Sequence, residues 1–159
     1  MSSSGKSKTA SPKLKNASVV IVRTEWNAGI VDELFSGCKK ILEANKIGFR
    51  DVIVPGAFEI PFAIRKFWDL SKKTRPDAFI ALGCVIKGDT PHFEYVCRAV
   101  TDGIATLNLQ MPVPVIFGVL TVDNLEQAKE RTGGIHGHKG EEAADAALKM
   151  ISYSRSLQL

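Results

Sequence analysis

Long apolar runs are missing from this sequence, and so are most of the short motifs that announce a chemistry. No stretch approaches the roughly 18–20 apolar residues that a membrane-spanning helix needs. The opening residues, MSSSGKSKTASPK, carry charge but no apolar segment behind them, so they do not read as a signal peptide. The expectation is a cytoplasmic protein with no membrane contact. Cysteine is scarce. Cys38, Cys84 and Cys97 are odd in number and lack metal-ligand spacing, and they read as buried free thiols of a reducing compartment. There is no GxGxxG, no P-loop lysine pattern and no serine nucleophile elbow. His136 and His138 lie two apart, but no acid or cysteine completes a set, so no metal is expected.

A basic folded surface is missing too. The net charge is +4, but Lys6, Lys8, Lys13 and Lys15 stand in a leader without acidic residues. The remaining 17 basic residues are matched by 17 acidic ones. A nucleic-acid-binding domain carries its basic residues on the folded part, so no nucleic-acid partner is expected. The leader, 1–17, reads as a flexible basic tail, with weak contact to a polyanion as the other reading. Residues 18–159 read as one domain with one core.

What is present is a repeating strand–helix pattern. SVVIV at 18–22 is a β-branched run, as in a buried parallel strand. Ile30, Leu34, Cys38, Ile41 and Leu42 follow at helical spacing. FRDVIV at 49–54 is a second strand, broken by Pro55-Gly56, and a helix near 57–69 accepts Pro61 in its first turn. AFIALGCVI at 78–86 is the third strand. Thr90-Pro91 looks like a cap and first residue of the next helix. VIFGVLT is a fourth strand, Asp123 to Glu126 has the look of a capping box, and TGGIHGHKG is a loop. A helix over about 141–155 turns Ala144, Ala147, Leu148 and Ile151 inward. This order predicts an α/β fold, a three-layer α/β/α sandwich around a four-stranded parallel sheet. So small a sheet suggests that burial is completed by self-association.

In open α/β sheets, ligands bind beyond the carboxyl ends of the strands. Topology gathers there Thr24 to Asn27, Pro55 to Glu59, Lys87 to His92 and the stretch after Val119. In Lys87-Gly88-Asp89-Thr90-Pro91-His92, Gly88 permits close approach, Thr90 offers a hydroxyl, and free amides at a helix start favour an anion. A histidine in the same first turn can shuttle protons. The same residues also fit a plain helix cap with a polar surface histidine. Trp26 beside Asn27 can stack on a flat heterocycle while the amide bonds its edge, or simply anchor the sheet. Gly56, Ala57, Phe58 and Glu59 form a turn whose amides and carboxylate can read a polar ligand, or an ordinary helix start. Arg131, His136, His138 and Lys139 cluster among glycines as a basic loop suited to closing on an anion.

Taken in order, Trp26-Asn27, VPGAFEIP at 54–61, GCVIKGDTPHFEYV at 83–96, FGVLT at 117–121, ERTGG, and GHKGEEAA at 137–144 closely resemble the 6,7-dimethyl-8-ribityllumazine synthase family. The likeness spans about 18–157. It implies a flavodoxin-like sheet of order 2-1-3-4 and a transferase of riboflavin biosynthesis. That reaction condenses 5-amino-6-(D-ribitylamino)uracil with 3,4-dihydroxy-2-butanone 4-phosphate to 6,7-dimethyl-8-ribityllumazine, releasing phosphate and water. It further implies no metal, no required cofactor, and active sites shared between neighbours in a homo-oligomer, a ring of five.

By the resemblance, Trp26 stacks on the pyrimidine. Asn27, Ala57 to Glu59, and the backbone of Val85, Ile86 and Lys87 hold the ring edge and ribityl hydroxyls. Gly88, Asp89 and Thr90 bind near the phosphate, and His92 transfers protons. From the adjacent subunit, Phe117 closes the pocket, Arg131 pairs with the phosphate and Lys139 lies near the ribityl or phosphate end. Glu142 is a weaker candidate for supporting His92. Three positions depart from the family's habit: Trp26 where phenylalanine is more frequent, Lys87 where arginine is frequent, and His138 where asparagine is frequent. The larger indole suggests tight binding of riboflavin or of the lumazine product at the substrate site. Pro12 and the lysine-rich leader disfavour the added strand found in sixty-subunit shells of the family, so a free pentamer is expected.

Two other classes compete. A flavin-mononucleotide electron carrier calls for a Ser/Thr-rich phosphate loop after the first strand, where this chain has TEWNAGI. A non-catalytic assembly or flavin-storage protein is the other.

Overall fold

A computed structural model describes residue 10 and residues 12–158. The two most continuously apolar runs become β1 (Ser18–Thr24) and β3 (Ala78–Ile86) at the centre of the sheet. Both of their faces are covered there, which is what an unbroken apolar run demands. The more polar β2 (Gly48–Val54) lies on one edge and β4 (Val115–Val122) on the other. All pairings within this sheet are parallel, in the order β2-β1-β3-β4. The expected α/β/α sandwich and the flavodoxin-like order 2-1-3-4 are both found.

The two-residue period of the strands splits the core into two layers. Val19, Ile21, Ile80 and Leu82 face α1 (Ala28–Ala44) and α5 (Lys139–Ser156), meeting Leu34, Cys38, Leu42, Ala144, Ala147, Leu148 and Ile151. Val20, Val22, Phe79 and Ala81 face α2 (Ile60–Leu70) and α3 (His92–Gln110), meeting Ile60, Ile64, Val100 and Ile104. The helices α1 and α5 touch backbone to backbone. A Cβ at Gly140 would run into the Leu34 carbonyl, and the His138 ring fills the place a side chain at Gly37 would take. At the β1–β2 edge, Arg23 forks onto both carboxylate oxygens of Asp51 at 2.8 and 2.9 Å and reaches Asp32 at 2.6 Å. This ties both strands to α1 directly beneath the loops that follow them.

Several local readings shift. Thr90 does not cap α3: the helix starts at His92, Pro91 occupies the cap position in helical geometry, and no side chain caps it. The fixed proline φ already makes the turn, with Glu94 N–H donating to the Pro91 carbonyl. A 3₁₀ turn, Ala57–Glu59, precedes α2. The capping box lies one residue later than expected. Asn124 accepts from Gln127 N–H, and the Gln127 side chain accepts from Asp123 N–H, opening α4 (Leu125–Lys129). The loop TGGIHGHKG holds a small antiparallel pair, β5 (Thr132–Gly134) and β6 (Gly137–His138). Its end, His138, caps α5 by accepting from Glu141 N–H at 3.4 Å, so that helix begins two residues early. Cys38 and Cys84 are buried free thiols, but Cys97 is only half-buried.

The basic leader falls partly on residues 1–9 and 11, which lie outside the described residues. Of its described part, Leu14 packs against the α1/α5 core and the Lys15 carbonyl accepts from Arg155. Among the described residues, no helix is long and apolar enough to cross a membrane.

Candidate active site

A pocket of about 470 Å³ opens at the carboxyl ends of β1, β2 and β3, on the α2/α3 side. Its lining comes from the four places where these elements end or begin. From the β1–α1 turn come Thr24, Trp26 and Asn27. From the turn after β2 come Gly56, Ala57, Phe58 and Glu59. Cys84, Val85 and Ile86 come from the end of β3, and His92 and Val96 from the start of α3. Two aromatic side chains stand at the mouth, with Trp26 73% and Phe58 64% exposed. Apolar walls with a few polar groups suit a flat heterocycle carrying hydroxyls.

The first turn is tightly specified. Glu25 N–H donates to the Val54 carbonyl and Trp26 N–H to the Pro55 carbonyl, extending the β1–β2 ladder past the strands. Asn27 then takes a left-handed backbone, φ 58°, which asparagine tolerates better than most residues. One amide hydrogen of its side chain goes to the Cys84 carbonyl at 2.7 Å. This residue therefore locks the turn onto β3 as well as lining the pocket.

The segment Lys87 to Pro91 bridges two lining residues, Ile86 and His92, so it skirts the pocket without lining it. Gly88, Asp89 and Thr90 are exposed there, as is His92 itself. The Lys87 amide is taken by the Val122 carbonyl at 2.9 Å, one step beyond the last β3–β4 pair. The Lys87 amide is thereby already engaged by the sheet. Burial pushes the Cys84 thiol up to about 11, so it is protonated at neutral pH and offers no nucleophile to the pocket.

Phe117, Arg131 and Lys139 are not among the lining residues. Phe117 sits partway along the edge strand β4, in register with Ala81 and 43% exposed. Arg131 donates to the Gln127 carbonyl at 2.8 Å and lies 3.8 Å from a Glu130 oxygen. Lys139 pairs with Glu142 at 2.8 Å, and its amide donates to the Arg131 carbonyl. Glu142 is thus engaged beside Lys139 on α5, and it too is absent from the pocket lining.

Three lining residues were not singled out as site residues from the sequence: Thr24, Cys84 and Val96. Thr24 had a weak signal, a hydroxyl at the carboxyl end of a strand with an apolar centre. Val96 had a weaker one, four residues after His92 on the same helix face. Cys84 carried none beyond its place near the end of β3.

Comparison with known proteins bears on this geometry. A model of the 6,7-dimethyl-8-ribityllumazine synthase family matches residues 16–155. The chain is similar to 6,7-dimethyl-8-ribityllumazine synthase of Parabacteroides distasonis, 42% identical over 90% of this chain and 89% of that one. It is similar to the synthase of the same name from Bacteroides fragilis, 45% identical over 86% of this chain and 96% of that one. A third, from Cytophaga hutchinsonii, is 46% identical over 89% of both chains. Matched across its whole folded part, and at this identity, the chain belongs to the 6,7-dimethyl-8-ribityllumazine synthase family.

Proposed function

We propose that the pocket between Trp26 and His92 is the pyrimidine half of a lumazine synthase active site, completed by residues of a neighbouring copy. The observation that carries this is the convergence of Trp26, Gly56 to Glu59, Val85, Ile86 and His92 on one 470 Å³ pocket in a chain of this family. The enzyme itself condenses 5-amino-6-(D-ribitylamino)uracil with 3,4-dihydroxy-2-butanone 4-phosphate to 6,7-dimethyl-8-ribityllumazine, the penultimate step of riboflavin biosynthesis.

In this reading the pyrimidine lies on the indole of Trp26. Asn27, the Ala57–Glu59 turn and the backbone of Val85 and Ile86 hold the ring edge and the ribityl chain. The primary amine adds to the ketone and loses water, giving an imine. Phosphate then leaves, its charge met by the amides of Gly88 to Thr90 and by Arg131 of the adjacent copy. The enol that remains tautomerises, and the second nitrogen closes the ring with loss of a second water. His92 moves the protons, because an imidazole carries one ring nitrogen that donates and one that accepts. No oxidation state changes overall, so the chemistry asks for no redox cofactor. Much of the rate comes from holding two reactants side by side.

Family members assemble as oligomers, and for this chain we favour a free ring of five in the cytoplasm. Support comes from the exposed apolar side chains of α2 and α3: Phe62 is 72%, Tyr95 66% and Leu109 90% exposed. That Phe117, Arg131 and Lys139 do not line the pocket of their own chain adds to it. Unpaired thiols fit a reducing compartment. Sedimentation velocity separates a pentamer from a shell or a monomer. Trp26 also suggests that riboflavin or the product binds in the same place. Flavin titration should give clearly weaker binding for Trp26→Ala than for the unaltered protein, and equal affinities would end that idea. The reaction is tested by mixing protein with both substrates and following phosphate release. Release requires both substrates, and its absence would overturn the assignment.

A further inference from the structure

We propose that Thr24 is a positioning residue for the pyrimidine substrate: its buried hydroxyl, working with the Asn27 carboxamide, fixes the peptide of Trp26 and through it the direction in which the indole leaves the backbone. The inference rests on the reading of Trp26 as the stacking surface. Thr24 is the one buried polar residue among those described, 3% exposed at the carboxyl end of β1. Its Oγ1 donates to the Trp26 carbonyl at 3.2 Å. Its methyl faces Gly83 on the neighbouring strand, 3.4 Å from where a Cβ there would sit.

Trp26 needs such help. With 73% of its surface open to solvent, the indole has few neighbours to define its angle. Its Cδ1 reaches only within 3.7 Å of a Cβ placed on Gly56. What is defined is the backbone on either side, and with it the direction of the Cα–Cβ bond. Pro55 holds the Trp26 amide at 3.2 Å, Thr24 holds its carbonyl, and Cys84 holds the next side chain at 2.7 Å. The Trp26 backbone is therefore tied to β1 and to the residue after β2, and the side chain of the next residue is tied to β3. A stacking surface fixed before substrate arrives loses less freedom on binding.

Thr24→Val keeps the shape and removes the hydroxyl. In the full-length enzyme it should raise KM for the pyrimidine substrate about three- to tenfold, the worth of one hydrogen bond. KM for the butanone phosphate should stay unchanged. Thr24→Ser should restore most of the loss. The decisive arm is the double variant. If the hydroxyl acts through the indole, Thr24→Val has little further effect once Trp26→Ala is present. A KM rise that persists in the Trp26→Ala background would overturn the proposal, as would a wild-type KM for Thr24→Val or equal rises for both substrates. Should Trp26→Ala itself leave pyrimidine KM untouched, the stacking role falls first and the proposal with it. Loss of the Thr24 effect alone leaves that role standing.

Discussion

The two faces of the sheet are built on opposite terms. On one face α1 and α5 close to backbone contact, with Gly140 against Leu34 and the His138 ring over Gly37. The residues between them are fully buried: Leu34, Cys38, Leu42, Ala144, Ala147 and Leu148 all have no exposed surface. On the other face α2 and α3 leave Phe62, Tyr95 and Leu109 in the open and leave a pocket at the strand ends. The contrast suggests a division of labour. The sealed face holds the fold together in one chain, and the open face offers room for the substrate and the neighbouring copies proposed above. Each experiment below strains one side of that contrast.

The largest effect belongs to the sealed face. Gly140→Ala places a methyl on the Leu34 carbonyl, with no flexible side chain to yield. It should cost about 3 kcal/mol, the upper range for overpacking, read from urea unfolding. A loss below about 1 kcal/mol would show that the two helices separate easily.

Next comes the chemistry of the pocket and of the neighbouring chain proposed to close it. His92→Ala should lower kcat about a hundredfold, as for loss of one acid–base group, while both substrates still bind. An inactive variant that no longer binds substrate would remove the proton-transfer role. Arg131→Ala should raise KM for the butanone phosphate about tenfold or more and leave pyrimidine KM near its starting value. Equal rises for the two substrates would place Arg131 elsewhere.

The smallest expected effect, counted for each pH unit above 9, returns to the sealed core. Burial lifts the Cys38 thiol from 9.0 to about 12. Between those values the unfolded chain sheds its proton and the folded chain keeps it. This contribution is therefore complete below about pH 9 and is lost as pH rises toward 12, by about 1.4 kcal/mol per pH unit. Cys38→Ala should flatten that alkaline fall even though it lowers stability overall. An unchanged slope would mean that Cys38 is solvated.

The same contrast explains what the sequence made legible. The central strands were readable because burial on both faces leaves an unbroken apolar run, as in SVVIV and AFIALGCVI. The capping box was readable in kind but misplaced by one residue, since Asp123 and Asn124 can each supply a capping oxygen. Thr90 was misread because a following proline sets the turn without any side-chain cap. The hairpin at 132–138 was hidden by glycines, which give no alternation to read. Trp26, Gly56 to Glu59, Val85, Ile86 and His92 meet in one pocket because topology alone sends the ends of β1, β2 and β3 to one edge. The hydrogen bond of Thr24 was not legible, because a hydroxyl at a strand end marks a place but does not name its partner, the Trp26 carbonyl.

Whether one chain holds half of a site is the claim to test most directly. His92→Ala and Arg131→Ala chains should be unfolded together, refolded as a mixture, and assayed for lumazine formation. In mixed rings about a quarter of contacts pair an intact pocket with an intact Arg131. Activity should therefore rise well above the average of the two variants refolded alone. Activity no higher than that average would mean that each chain closes its own pocket, and would contradict the shared site.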